Sequence, residues 1–175
     1  MSLAAALLLA GCAGHRLPRF EAVLAANESA TVALEQWCTT RRFADPARVI
    51  ADTVAGGPAE PADARALLGI DGASALGFRH VRLSCGGRVL SEAYNWYVPS
   101  RLTPAMNDTL ERTRTPFGKV AAPLAFRRER LATRRGAALG CPAGTVLSHR
   151  ALLRLPDGHP LALLVECYST ANLGG

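Results

Sequence analysis

The stretch from Cys85 to Gly118, CGGRVLSEAYNWYVPSRLTPAMNDTLERTRTPFG, constrains the fold more than any other part of the chain. Paired glycines in Cys85-Gly86-Gly87-Arg88 supply the positive φ values that a two-residue hairpin needs. Val89 to Val98 is β-branched and aromatic-rich, which suits a pleated surface. Thr103 offers an N-cap oxygen, and Pro104 pre-sets φ at the first helical position. One short amphipathic helix follows through Ala105, Met106 and Leu110. Thr115-Pro116 stops it, and Phe117-Gly118 turns the chain again.

Downstream, Leu155-Pro156-Asp157-Gly158-His159-Pro160 is a second hairpin turn, and Leu161 to Tyr168 is an apolar strand carrying one acid, Glu166. Strand, turn, strand, helix, then hairpin: this order resembles the chorismate lyase family and the ligand-binding domains that share its fold. The resemblance covers roughly residues 78 to 170. It implies an α+β fold, a single antiparallel β-sheet with helices inserted between hairpins. Glu166 falls where the lyases carry their active-site glutamate, and Phe117 where they place an apolar residue over the aromatic ring. The two lyase arginines that hold carboxylate fall on His80 and Asn95, which departs from the lyase pattern. Arg79 and Arg82 flank His80, and Arg82 shares its face and could substitute.

The residues themselves point partly the same way. Alternation puts Val81, Leu83 and Cys85 on one strand face and His80, Arg82 and Ser84 on the other. That polar face is either solvent or a pocket wall. The 161–168 strand is apolar on both faces, so it should be buried on both. An acid there is costly unless paired, and burial should raise its pKa. Glu166 is therefore either a functional acid or one half of an ion pair with Arg150 or Arg154. Phe117 is either a ring cover or ordinary core. Phe126 to Thr133 is ambiguous between helix and strand; the basic run from Phe126 to Arg135 has no interleaved aromatics and reads as a solvated face, which a lipidated protein could still lay against the membrane.

At 175 residues, 49% hydrophobic and 19% charged, the chain can bury a single core and is not disordered. Its net charge of +6 comes from arginine, since Lys119 is the only lysine. Much of that excess is codon usage; the rest would favour anionic ligands. Met1 to Ala10 is an apolar run leading into Leu9-Ala10-Gly11-Cys12, the pattern of a bacterial lipoprotein signal, although no basic residue precedes it. It is too short to span a bilayer. The expected organisation is signal and lipidation site at 1–12, a tether at 13–19, and one domain at 20–175. A buried or frayed N-terminal helix of a cytoplasmic protein is the alternative.

Without Cys12, the cysteines Cys38, Cys85, Cys141 and Cys167 form an even set, open to three pairings or to none. Cys38 and Cys85 could meet across a helix–sheet interface, and Cys141 could meet Cys167. No cysteine or histidine spacing suggests a metal, and no glycine-rich phosphate loop or serine elbow occurs.

The resemblance implies a protein that needs no cofactor, binds a small aromatic or cyclohexadienyl carboxylate, and eliminates pyruvate from chorismate to leave 4-hydroxybenzoate. Arg82 with His80 would hold carboxylate, Glu166 the proton or ring hydroxyl. The alternative is a non-catalytic envelope lipoprotein that keeps the fold, anchors to the membrane by lipid, faces the periplasm, and binds an aromatic acid or a protein. Neither reading involves nucleic acid.

Overall fold

The computed structural model describes residues 15–138 and 140–174. The apolar run, Cys12 and the whole 1–12 segment lie outside these residues. Helix α1, Arg16–Ala25, begins inside the stretch expected to be a tether. Pro18 in the first turn does no harm there, because that turn's N–H groups have no helical partner. Phe20 and Leu24, four apart, bury one face of α1, and Arg16 Nη1 donates to the Leu173 carbonyl at 2.6 Å. From Arg16 onward the expected tether is thus folded.

Helix α2, Ala30–Thr40, is capped by Ser29, whose hydroxyl accepts from the Val32 N–H. Strand β1, Ile50–Thr53, and the short helix α3, Ala64–Leu68, follow. Strands β2, Gly77–Cys85, and β3, Arg88–Tyr97, form the expected hairpin. Gly86 and Gly87 adopt φ of 58° and 74°, and Cys85 pairs with Arg88. Helix α4, Pro104–Arg112, starts at the expected cap, Thr103 accepting from the Met106 N–H. A one-turn helix α5, Phe117–Val120, occupies the corner. The ambiguous run is strand β4, Arg127–Arg135. It pairs with β5, Thr145–Arg154, which turns into β6, Pro160–Ser169.

The six strands make one antiparallel sheet in the order β1-β2-β3-β6-β5-β4. Two three-stranded meanders are thereby joined at β3 and β6, which become the sheet's interior. This is the α+β architecture expected, with helices inserted between hairpins. On one face, α1 and α2 cover the β1–β3 half through Phe20, Leu34, Trp37, Val81 and Leu83. On the same face, α4 and α5 cover the other half through Leu110, Phe117, Leu153 and Leu164. The opposite face is covered by α3 and the 136–144 loop over Tyr94, Trp96, Leu163 and Cys167. Among the described residues no helix is long and apolar enough to cross a membrane.

Two disulfides form, in the pairing that placement allowed. Cys38–Cys85 joins α2 to the end of β2 with Cα atoms 6.5 Å apart. Cys141–Cys167 joins the 136–144 loop to β6, with Cα atoms 5.5 Å apart. Alkylation without reductant is expected to leave all four cysteines unmodified. The Cys38→Ala/Cys85→Ala variant should lose about 4 kcal/mol in urea unfolding, from a chain-entropy estimate for residues 47 apart; free thiols in the oxidised protein would overturn this.

Candidate functional site

The row of residues across the sheet centre decides what each side chain can reach. Val81 pairs with Ala93, Ala93 with Glu166, and Glu166 with His149. The next row runs Arg79, Asn95, Leu164, Ala151. All eight lie on the face covered by α2 and α5. Against it, the loop before α2 (Glu28, Ser29) and the start of α5 (Pro116, Phe117, Gly118) close a cavity over Asn95 and Glu166. The two covers touch. A Cβ on Gly118 would stand 2.4 Å from the Ser29 hydroxyl oxygen, so a larger residue at this crossing would displace the hydroxyl that caps α2.

Glu166 is 3% exposed and holds Arg128 of β4, whose side chain is 5% exposed. Arg128 Nη1 donates to Glu166 Oε1 at 3.1 Å, and Nη2 donates to Oε2. The Tyr168 hydroxyl donates to Oε2 at 2.8 Å. Burial alone would raise the Glu166 pKa, as expected from its strand. The adjacent Arg128 guanidinium outweighs burial and lowers it. The ion-pair partners expected for Glu166 are occupied elsewhere: Arg150 holds Asp63, and Arg154 holds Glu129. The cavity measures only about 30 Å³, room for a water or two rather than a ring. Phe117 lines it and also stacks against Tyr97, ring centroids 5.5 Å apart.

His80 and Arg82 do not join this cavity. Their odd-numbered neighbours face it, so strand alternation sends both to the opposite face of the sheet. There the Glu92 carboxylate holds both side chains: His80 Nε2 lies 2.8 Å from Oε1, and Arg82 Nε donates to Oε2 at 3.0 Å. His80 Nδ1 is 2.9 Å from the Gly56 carbonyl. The expected partnership of Arg82 and His80 with Glu166 therefore fails on geometry, whereas Asn95, Phe117 and Glu166 do come together.

Three buried polar residues were missed by sequence reasoning. Arg128 sat in a run read as solvated; its signal was that a doubly buried strand's acid needs a cation. His149 faces Glu166 and Tyr168, 4% exposed, with Nδ1 unpartnered. Burial holds it neutral and lowers its pKa to about 4. Arg79 had the clearest signal, an arginine in phase with Val81 and Leu83 on the apolar face.

Arg79 is 7% exposed. Its Nη1 donates to the Thr115 carbonyl at 3.3 Å, while Nη2 is buried without any partner. Burial lowers its pKa, and no carboxylate offsets that cost. It lines a second cavity of about 420 Å³ beside the end of β1, with Phe78, His80, Tyr97, Leu110 and Glu111. That volume is ligand-sized. The Thr115-Pro116-Phe117 segment separates the two cavities, as Arg79 binds its first residue and the other two wall the smaller space.

No protein-family model matches the sequence. The uncharacterized protein y4mC of Sinorhizobium fredii (strain NBRC 101917 / NGR234) is 38% identical over 173 residues, spanning 87% of this chain and 73% of that protein. The chain belongs to the y4mC family.

Among solved structures, PhnF from Mycobacterium smegmatis is similar at TM-score 0.58 and 14% identity, over 83% of this chain. The chain spans 65% of that whole PhnF structure but 90% of its isolated effector domain, at TM-score 0.57 and 14% identity, over 82% of this chain. It also covers 60% of YydK, a possible transcriptional regulator from Bacillus subtilis subsp. subtilis str. 168, at TM-score 0.51, 14% identity and 71% of this chain. These likenesses establish for the y4mC-family chain a chorismate lyase-like fold, the one seen in such effector domains.

Removing one side of the buried pair leaves an isolated charge. Arg128→Ala should cost about 3–5 kcal/mol in urea unfolding, and Arg128→Met/Glu166→Leu should recover most of it. A single-variant loss below about 1 kcal/mol would show that the pair is not buried in solution.

Acid sensitivity follows from His149 and Glu166. The unfolded imidazole takes a proton near pH 6.5, the folded one only near 4. Stability from His149 is therefore complete above pH 6.5 and falls by about 3 kcal/mol as pH drops to 4. Glu166, with its lowered folded pKa, adds a further loss at still lower pH. His149→Gln should flatten the upper part of the profile. A wild-type profile already flat between pH 6.5 and 4.5 would contradict the buried neutral imidazole.

Proposed function

We propose that this protein is a binder of small carboxylates, with Arg79 as the carboxylate anchor. The observation that carries this is a buried guanidinium with one side unpartnered, lining a ligand-sized cavity. A bound carboxylate would supply the counter-charge and acceptor that the fold withholds. Phe78 and Tyr97 present apolar ring surface beside Arg79, which favours an aromatic or cyclohexadienyl acid. Glu111, the one acid in the lining, suits a ring hydroxyl as donor. The likeness to the PhnF effector domain supports a ligand-responsive role for the shared fold.

Elimination of pyruvate from chorismate is the finer alternative, with Glu166 handling the proton. What weighs against it is that Arg128 and Tyr168 already occupy both carboxylate oxygens. An envelope location, with Cys12 as lipid attachment point, is favoured by the two disulfides, which persist in oxidising compartments.

Calorimetry with 4-hydroxybenzoate and with chorismate tests the proposal. Wild type should bind, Arg79→Ala should weaken binding by roughly 1.5–3 kcal/mol, and Glu166→Gln should change it little. Unchanged affinity in Arg79→Ala would remove Arg79 as anchor. Release of 4-hydroxybenzoate from chorismate, lost in Glu166→Gln, would replace the binder by the lyase.

A further inference from the structure

Four arginines from three separate parts of the chain converge beside the point where residues 1–14 join the domain. Arg16 and Arg19 lie one turn apart at the start of α1. Arg41 follows α2, and Arg88 opens β3. Arg41 and Arg88 both stack on Phe43, at 5.4 Å and 4.9 Å from its ring centroid. Arg16 and Arg41 meet at the same C-terminal turn, where Arg16 donates to the Leu173 carbonyl and Arg41 to those of Asn172 and Gly174. Carbonyls orient the guanidiniums but do not neutralise them.

Among the described residues none of these four pairs with a carboxylate, whereas Arg65, Arg82, Arg114, Arg128, Arg135, Arg150 and Arg154 all do. Burial and the charges of Arg16, Arg19 and Arg88 together depress the pKa of Arg41. The fold thus gathers like charges at a cost that an external polyanion would remove.

The chain's own layout says which polyanion. The apolar run ends at Ala10, and Cys12 precedes Arg16 by four residues. Four residues reach at most about 14 Å. Any bilayer that takes up the run, or a lipid on Cys12, therefore lies within about one to two screening lengths of the patch.

We propose that Arg16, Arg19, Arg41 and Arg88 form a docking surface for the anionic phospholipid face of a membrane. Guanidinium groups held by carbonyls and by Phe43 present paired N–H donors to headgroup phosphates. The domain then sits against the bilayer in one orientation rather than swinging on its leader. This extends the envelope reading but does not require Cys12 to be lipidated.

The test is co-sedimentation of the full chain carrying Cys12→Ser, so that no lipid contributes. Vesicles of phosphatidylcholine alone are compared with vesicles containing one quarter phosphatidylglycerol, at low and high salt. The apolar run contributes to both vesicle types, so the reading is the anionic-to-neutral ratio. That ratio should exceed one at low salt, collapse at high salt, and fall about tenfold in Arg19→Glu/Arg88→Glu, two exposed positions. Arg127→Glu/Arg134→Glu, an equal charge reversal on β4, should leave it unchanged. Equal loss in both variants would reduce the effect to net charge and overturn the patch. A ratio of one for the unreversed chain would overturn it outright. Release from anionic vesicles by DNA at matched charge concentration would overturn the lipid assignment in favour of nucleic acid.

Discussion

Strand β6 is covered on both faces, and it carries a fully buried acid, Glu166. That single constraint organises the molecule's centre. A carboxylate with no water must find a cation, and β4 supplies Arg128 from two strands away, reaching across β5. The ion pair in turn explains why an otherwise exposed edge strand turns one arginine inward while its neighbours face solvent. It also explains the small size of the central cavity, since the guanidinium fills the space beside Glu166 where a ligand ring would lie. Buried pairs of this kind are expensive to assemble and more expensive to break, which suits a structural lock better than a titrating acid.

With the centre filled by this pair, the larger cavity lies at the sheet's margin. β1 pairs only with the Val81–Ser84 part of β2. Beyond it, the Gly77–His80 end of β2 is left beside an open cavity, and there Arg79 lies without a counter-charge. On the other face, Glu92 gathers His80 and Arg82, so three basic residues within a four-residue stretch of one strand meet three different fates. Arg79 is buried and half-satisfied, His80 is held between a carboxylate and a carbonyl, and Arg82 is exposed and paired. The alternation of the pleat accounts for this division. The resemblance to chorismate lyases, aligned by residue count from the hairpin, selected His80; the arginine on the helix-covered face is its neighbour Arg79. The register shift of this hairpin places its extra residue, Leu90, on β3, so alternation runs unbroken along β2 from Cys85 through Val81 to Arg79 and leaves His80 on the other face.

Membership of the y4mC family carries no activity with it, and the fold is shared with effector domains of regulators whose full chains contain more than this one spans. The proposed functions rest instead on cationic groups that have no carboxylate partner among the described residues. One is the half-partnered Arg79 guanidinium in a cavity; the other is the arginine patch beside the start of α1, without a carboxylate partner among the described residues. They lie in different parts of the molecule, and the anions proposed for them differ accordingly.

Local chemistry was legible in the sequence. The Gly86-Gly87 turn, the caps at Ser29 and Thr103, the strand alternation and the hairpin before β6 all follow from backbone preferences that act within a few residues. The sheet's antiparallel layout followed from those hairpins, whereas the cysteine pairing stayed open in the sequence and was fixed only when the folded elements brought Cys38 to Cys85 and Cys141 to Cys167. Nothing within reach of Glu166 along the chain named its partner, because Arg128 is 38 residues away and meets it only through the pairing of β4, β5 and β6. The same holds for the direction of the Glu166 pKa, which burial alone would have raised. Local preferences set most of the elements and their order, the start of α1 and the identity of β4 excepted. Tertiary structure decided which charges are buried, paired or left over, because ionic partners are chosen across the sheet, where separation in sequence no longer measures distance in space.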